Sequence, residues 1–167
     1  FNTILYDDGA GAKTGIGFQP DLVWVKSRGS GSSDHKVTDA VRGVTKAIIP
    51  NDNSAETTDS TGLTAFGADG FTVGADTDYS DTTGSGMVAW NWKAGGAPTA
   101  DNSAGAGATP TAGSVKIDGS NLGSALAGSI AATRLSANTT SGFSIFKYTG
   151  DGGTSATIAH GLSQTPE

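Results

Sequence analysis

Three aspartates, Asp76, Asp78 and Asp81, stand close together in one short segment, and such carboxylates can bind a metal ion. Calcium prefers carboxylate and carbonyl oxygens, which an aspartate-rich loop supplies. The segment lacks the glycine and the glutamate that an EF-hand loop needs at its fixed positions. The pattern therefore predicts a solvated, aspartate-rich turn, and the shorter segment of residues 7–9 predicts another.

Two histidines, His35 and His160, are the only side chains of their type in the chain. His35 follows Asp34 and lies near Ser32 and Ser33, so a Ser-His-Asp triad has all its residue types nearby. A triad depends on geometry in the folded protein, however, and sequence neighbours seldom supply it. We therefore predict no catalytic, cofactor-binding or metal-binding residue, and we predict that the protein is not an enzyme.

Lys13 lies within a glycine-rich segment, residues 9–15, which has some similarity to a phosphate-binding loop. The required pattern G-x-x-x-x-G-K-[ST] is absent, and no helix pattern follows the segment. The glycines are instead typical of a loop between strands.

Three tryptophans, Trp24, Trp90 and Trp92, are candidates for stacking on sugar rings. The alternative is core packing, because large aromatic side chains dominate the cores of small β-domains. Trp90 and Trp92 alternate with period two and share a face with Val88, which favours the core. The residues that bind a ligand therefore stay unassigned at this stage.

The composition favours an all-β protein whose surface is polar but has few charged residues. Glycine occurs 26 times, cysteine is absent, charged residues make up 16% and the formal net charge is −6. Glycine weakens helices, and a chain without cysteine has no disulfides. Nucleic-acid binding needs a basic surface, and no apolar run reaches the roughly 18 residues of a membrane helix. We therefore expect neither nucleic acid nor membrane insertion.

Strand patterns separated by turn signals fill the first part of the chain. Residues 21–26 and 87–93 are read as strands, residues 37–50 as a strand pair or a bent strand, and residues 62–74 as a hairpin with a Gly-Ala-Asp-Gly turn. We predict that residues 1–96 form an antiparallel β-sandwich of the jelly-roll or lectin-like type.

The composition changes after residue 96 to glycine, alanine, serine and threonine. This predicts that residues 97–135 form a flexible linker or an extended arm. Within it, residues 114–119 have the pattern of a short strand and turn, and residues 122–135 that of a marginal helix.

An internal repeat connects the two ends of the chain. Phe1–Tyr6 matches Phe143–Tyr148 in the spacing of its aromatic residues, and a Gly/Asp turn and a Gly-to-Pro-acidic element follow each copy. Residues 136–167 are therefore predicted to begin a second repeat of a longer polypeptide. This part lacks most of a domain, so we expect it to dock on the first domain or on a neighbouring subunit.

Five segments carry a further signal: residues 17–28, 39–46, 69–74, 88–96 and 136–145. Together they resemble a repeat found in bacteriophage tail-fibre and related virion proteins. The resemblance implies a structural component of a virus particle, either a tail fibre or another virion surface protein, with host attachment as an added role. The implied partners are copies of the chain in a homo-oligomer, other virion proteins and host-surface glycans, and the implied location is the extracellular surface of the virion.

Two other functions compete with this one. A lectin-like carbohydrate-binding module is the main alternative. A polysaccharide-degrading tailspike enzyme is the least favoured, because such enzymes place paired carboxylates across a cleft. Glutamate occurs only as Glu56 and Glu167, and the aspartates fall mostly in turns.

Overall fold

The computed structural model describes residues 1–29, 32–81 and 84–166. Within these residues the chain forms thirteen strands and no helix, so no helix of a membrane-spanning kind occurs among them. The chain divides into two compact units, Phe1–Lys93 (unit 1) and Ala94–Glu167 (unit 2). The predicted all-β fold is confirmed.

The described residues of unit 1 form nine strands in three antiparallel sheets. The strands are β1 (Asn2–Tyr6), β2 (Gly11–Thr14), β3 (Leu22–Ser27), β4 (Lys36–Asp39), β5 (Lys46–Ala47), β6 (Thr57–Thr58), β7 (Leu63–Gly67), β8 (Gly70–Val73) and β9 (Met87–Trp92). The main sheet has the order β1-β9-β3-β4, a second sheet has the order β2-β8-β7, and β5 pairs with β6. The predicted hairpin with its Gly-Ala-Asp-Gly turn is confirmed as β7 and β8.

The core of unit 1 draws its side chains from both larger sheets, as expected for a β-sandwich. Its buried members are Ile16, Val23, Val25, Ala47, Leu63, Phe71, Val73, Tyr79, Met87 and Ala89. Burial of this apolar surface is the main force that holds the two sheets together.

The main sheet turns its tryptophans away from this core. On β9, Met87 and Ala89 are buried, whereas Val88 and Trp90 are only half-buried. The prediction that Trp90 lies on the inner face with Val88 is therefore wrong. The reason is volume, because Val25 already fills the interior opposite Ala89, and a small side chain is needed there.

The glycine-rich segment of residues 9–15 is also more ordered than predicted. Residues Gly11–Thr14 form β2, which pairs with β8, so the segment is not a simple loop. Lys13 lies on this strand with only 3% of its surface exposed.

Unit 2 is built on one four-stranded sheet. Its strands are β10 (Val115–Ile117), β11 (Ser120–Asn121), β12 (Ala132–Asn138) and β13 (Phe143–Tyr148). Their order is β11-β10-β12-β13, with β10 and β12 parallel and the other pairs antiparallel. This sheet departs from the purely antiparallel arrangement that we predicted.

The prediction of a linker at residues 97–135 is wrong, because this segment supplies half of a folded unit. Val115, Leu126 and Leu135 form its buried core, and the marginal helix predicted at residues 122–135 is absent. Asn102, which lies outside the strands, is held by its side chain: its amide group donates a hydrogen bond to the Ala132 carbonyl at 3.1 Å. A few apolar residues and many small ones therefore suffice to make a compact unit.

The two copies of the internal repeat have the same local structure at their starts. Both begin with a strand, β1 and β13, followed by a turn that contains glycine and aspartate. This prediction is confirmed. Residues 136–166 pack with residues 94–135 as part of unit 2, and the final acidic residue of the second copy, Glu167, lies outside the described residues.

Candidate functional site

The outer surface of the main sheet in unit 1 carries a group of aromatic side chains. Trp24 on β3 stands directly opposite Trp90 on β9, with ring centroids 5.9 Å apart and ring planes at 70°. Both side chains are half-buried, so part of each ring faces solvent. We call the set Phe1, Trp24, His35, Trp90 and Trp92 the aromatic face.

Phe1 and Trp92 extend the aromatic face toward the edge of the sheet. Their ring centroids lie 4.9 Å apart at an interplanar angle of 54°. Phe1 is 65% exposed, and Leu5, farther along β1, is 63% exposed. Apolar side chains that cluster in this way on a surface often mark a contact with another molecule.

His35 holds Trp24 in position at the other end of this face. The Trp24 Nε1–H group donates a hydrogen bond to His35 Nδ1 at 2.9 Å, and the rings meet edge to face. This bond requires a neutral Nδ1. Burial, and then the positive charge of Lys26, lower the pKa of His35 and so favour the neutral form.

The same bond shows that the residues around His35 do not form a Ser-His-Asp relay. In such a relay the aspartate would bind His35 Nδ1, which here binds Trp24. The Asp34 carboxylate instead accepts a bond from the Asn51 amide at 2.9 Å. The second histidine, His160, accepts a bond from the Leu162 N–H group at 3.0 Å, and so stabilises a turn of unit 2.

The three aspartates of the predicted acidic turn point to different partners. Asp76 is hydrogen-bonded to Asp59, and Asp78 lies 3.2 Å from Lys36. The Asp81 carboxylate accepts a bond from a glycine backbone and is itself buried. Among residues 1–29, 32–81 and 84–166, no three acidic or histidine side chains are placed to hold a metal ion. The turn is packed into the domain rather than solvated as predicted.

The Asp59–Asp76 pair shares a proton at mildly acidic pH. Burial, followed by the hydrogen bond to Asp59, raises the pKa of Asp76 to about 6. Burial alone would also raise the pKa of Asp59, but hydrogen bonds from Asp76 and Thr61 lower it. The proton therefore resides on Asp76, and this pair makes the stability of unit 1 dependent on pH.

Lys13 has a structural role rather than one in phosphate binding. Its ammonium group donates to the Gly9 carbonyl at 2.7 Å, pairs with Asp8 at 2.7 Å and lies 5.0 Å from the centre of the Tyr6 ring. Burial raises the pKa of that tyrosine, with the charge of Asp8 adding to the effect. These contacts hold the ammonium group of Lys13 against the loop before its own strand and against the Tyr6 ring of β1.

The sequence singled out the tryptophans but assigned them to the wrong side of the sheet. The signal that could have placed them outside was the alternation on β3, where Val23 and Val25 occupy the face opposite to that of Trp24. The contact between Trp24 and His35 left no signal in the sequence, because eleven residues separate the two side chains. The hydrogen bond between the hydroxyl groups of Thr38 and Tyr79 left no signal in the sequence either, because 41 residues separate them.

A known protein family matches the chain in two segments. The model of the domain of unknown function DUF7483 matches residues 1–117 and, in a second match, residues 118–167. Neither a curated protein nor a solved structure matches the chain. Because the two family matches together span all 167 residues, the chain belongs to the DUF7483 family.

Proposed function

We propose that this chain is a non-enzymatic structural module on the outer surface of a virus particle, of the bacteriophage tail-fibre type. The observation that carries the proposal is the repeated strand and turn, which opens unit 1 as β1 and recurs in unit 2 as β13. The virion setting itself rests on the sequence resemblance to phage repeats.

Repeated compact modules suit an elongated appendage. Each unit here has its own buried core, so units joined in series can lengthen a fibre without one large core. The partners in this proposal are copies of the chain itself and other virion proteins. The exposed side chains of Phe1 and Leu5 support self-association, because apolar groups on a surface favour contact with another surface.

Immunogold electron microscopy tests the location. Antibodies raised against residues 1–167 are applied to purified virus particles from the source strain, with antibody pre-absorbed on the protein as the control. We expect gold at one defined appendage and peptides of the chain in the particle digest. Peptides found in the soluble cell fraction but never in particles would contradict the proposal.

Glycan binding is a second candidate, favoured by the partly exposed rings of Trp24 and Trp90. An indole face can stack on the apolar face of a sugar ring, and Trp side chains are suited to surfaces that are partly wet. Because the two ring planes are 70° apart, a flat sugar ring stacks on one indole rather than on both. This geometry favours recognition of one sugar unit over a long flat glycan chain.

A glycan array with purified residues 1–167 tests this second function. We expect saturable binding that Trp24→Ala or Trp90→Ala abolishes while near-UV circular dichroism shows an intact fold. Tyr148→Ala is the matched control, because it removes an exposed aromatic ring from unit 2. Binding that survives both tryptophan substitutions, or no binding to any glycan, would exclude this function for the aromatic face.

A further inference from the structure

The strands β1 and β13 are two copies of one sequence element, and they can be compared residue by residue. The copies align without a gap. The equivalent pairs are Phe1 with Phe143, Asn2 with Ser144, Thr3 with Ile145, Ile4 with Phe146, Leu5 with Lys147 and Tyr6 with Tyr148. Each strand lies at the edge of its sheet, so each has one edge paired and one edge free.

In unit 1, the paired edge of the repeated strand contains the backbone of Ile4. Arg28 N–H donates to the Gly86 carbonyl at 2.8 Å, so Gly86 directs its backbone groups toward the β3 side. Backbone groups alternate along a strand, and Ala89, three residues later, therefore points toward β1. Ala89 is the partner of Ile4, so Ile4 bonds to β9, and its neighbour Leu5 points to the free edge.

In unit 2, the same reasoning gives the opposite edge. Leu135 N–H donates to the Ser114 carbonyl at 3.0 Å, so Leu135 directs its backbone groups toward β10. Ser136 therefore points toward β13, where its partner is Ile145. Phe146, the partner of Leu135, has its backbone groups on the free edge. The edge that is paired in β1 is thus free in β13, and the edge that is free in β1 is paired in β13.

The side chains follow the same division. Ile4 and Tyr6 pack against the core of unit 1, and the Tyr6 hydroxyl donates to the Tyr79 carbonyl at 2.6 Å. Their equivalents on β13, Phe146 and Tyr148, are 39% and 45% exposed. The side chains that complete a sandwich core in one copy therefore have no such core to fill in the other.

We propose that the free edge of β13, with Phe146 and Tyr148, is a docking surface for a further copy of strands β2–β9 of unit 1, in which no β1 covers the edge of β9. In that contact β13 occupies the position of β1 beside a strand of the β9 type. The strand would then join two sheets, pairing with β12 on one edge and with the β9-type strand on the other. In this arrangement the backbone groups on both edges of the strand are hydrogen-bonded, and the exposed pair Phe146 and Tyr148 is covered.

The chemistry of the partner follows from what faces β1 in unit 1. Opposite Ile4 the β9 strand presents Ala89, so the neighbour that Phe146 would meet in the equivalent place is a small apolar side chain. Lys147 replaces Leu5 on the other face, where solvent is accessible. The two matches of one family model to this chain agree with copies that occur in series. The contact does not depend on the virion function proposed above.

A chain extended by one partial copy tests the docking surface. Residues 1–167 are followed by a second copy of residues 7–93, which contains every strand of unit 1 except β1. We expect amide exchange at Phe146, which faces the free edge, to slow by about tenfold or more relative to residues 1–167 alone. Exchange at Ile145, already bonded to β12, should stay unchanged. The added copy should resist limited proteolysis.

Two substitutions separate docking from folding. Phe146→Asp should make the added copy sensitive to protease and return exchange at β13 to its original rate. Lys147→Ser, on the same strand and the opposite face, should have neither effect. Phe146→Asp in residues 1–167 alone verifies that unit 2 still folds. The proposal would be overturned if the amide exchange rate at Phe146 were the same with and without the added copy. It would also be overturned if the added copy resisted protease equally well in the Phe146→Asp variant.

Discussion

The hydroxyl groups of Thr38 and Tyr79 lie 2.7 Å apart inside unit 1, where each residue is at most 1% exposed. The Tyr79 carbonyl also accepts the hydrogen bond of the Tyr6 hydroxyl at 2.6 Å. Tyr79 belongs to the aspartate-rich turn, whereas Thr38 lies on β4 and Tyr6 on β1. One buried residue, Tyr79, therefore fastens this turn to two strands of the main sheet, through its hydroxyl to β4 and through its backbone carbonyl to β1.

Replacing Tyr79 by phenylalanine should destabilise unit 1 by about 1–3 kcal/mol, because it leaves the Thr38 hydroxyl buried without its partner. Urea unfolding followed by tryptophan fluorescence measures the change. Thr38→Val should cost a similar amount, and the double variant should cost less than the sum of the two. Tyr148→Phe, at an exposed position, is the control. Additive costs would show that the two hydroxyls do not interact.

The register of β9 predicts that neighbouring substitutions change the free energy of unfolding by very different amounts. Ala89→Leu adds volume to the closed interior and should reduce the free energy of unfolding by about 1–3 kcal/mol. Val88→Leu adds volume on the outer face and should change it by less than about 0.5 kcal/mol. Both are measured by the same urea titration. Equal effects at the two positions would contradict the register.

The parts of the fold that were predictable are those with local signals. The hairpin of β7 and β8 has its glycines at both ends of the turn, and the two strands of the repeat have their aromatic residues at fixed spacing. The strand β9 was also identified from its period-two pattern, and β3 from a short run that is apolar on both faces. In each case the turn or the strand pattern is encoded within a few residues of the structure that it specifies.

The parts that were not predictable depend on distant partners. Alternation along β9 is compatible with either face being inside, and the choice follows from Val25 on another strand. In unit 2, small residues replaced the usual apolar pattern, so its core around Leu135 resembled a linker in composition. Contacts such as Trp24 with His35 are likewise set by the folded sheet and not by any motif.

A substitution at Gly95 tests whether unit 2 is a folded unit. A Cβ atom at this position would lie 2.5 Å from the carbonyl oxygens of both Lys116 and Ala137. These are backbone atoms of β10 and β12, which cannot move without breaking the sheet. Gly95→Ala should therefore destabilise unit 2 by about 3 kcal/mol.

Amide hydrogen exchange across β10 and β12 measures this change. Gly123→Ala is the matched control, because a Cβ atom there meets no other atom within 4 Å. Its exchange rates should match those of the parent protein. If Gly95→Ala left protection across β10 and β12 unaltered, the segment of residues 97–135 would be the flexible linker that its composition first indicated.

The Asp59–Asp76 pair gives a prediction about pH. The pKa of Asp76 rises from its ordinary value of 3.8 to about 6 in the folded protein. The folded chain therefore binds this proton more tightly than the unfolded chain. Its contribution to stability is complete below about pH 4, falls as the pH rises, and is lost above about pH 6.

Asp76→Asn should remove this dependence, because an asparagine amide can donate a hydrogen bond to Asp59 at every pH. It also keeps the oxygen that accepts the Asp78 N–H group at 2.7 Å. At pH 7 the variant should be more stable than the parent by about 1 kcal/mol, a value reduced for partial solvent screening. At pH 4 the two proteins should have equal free energies of unfolding. Asp151→Asn, in an exposed turn of unit 2, is the control. A stability difference that is constant from pH 4 to pH 7 would show that Asp76 does not carry the shared proton.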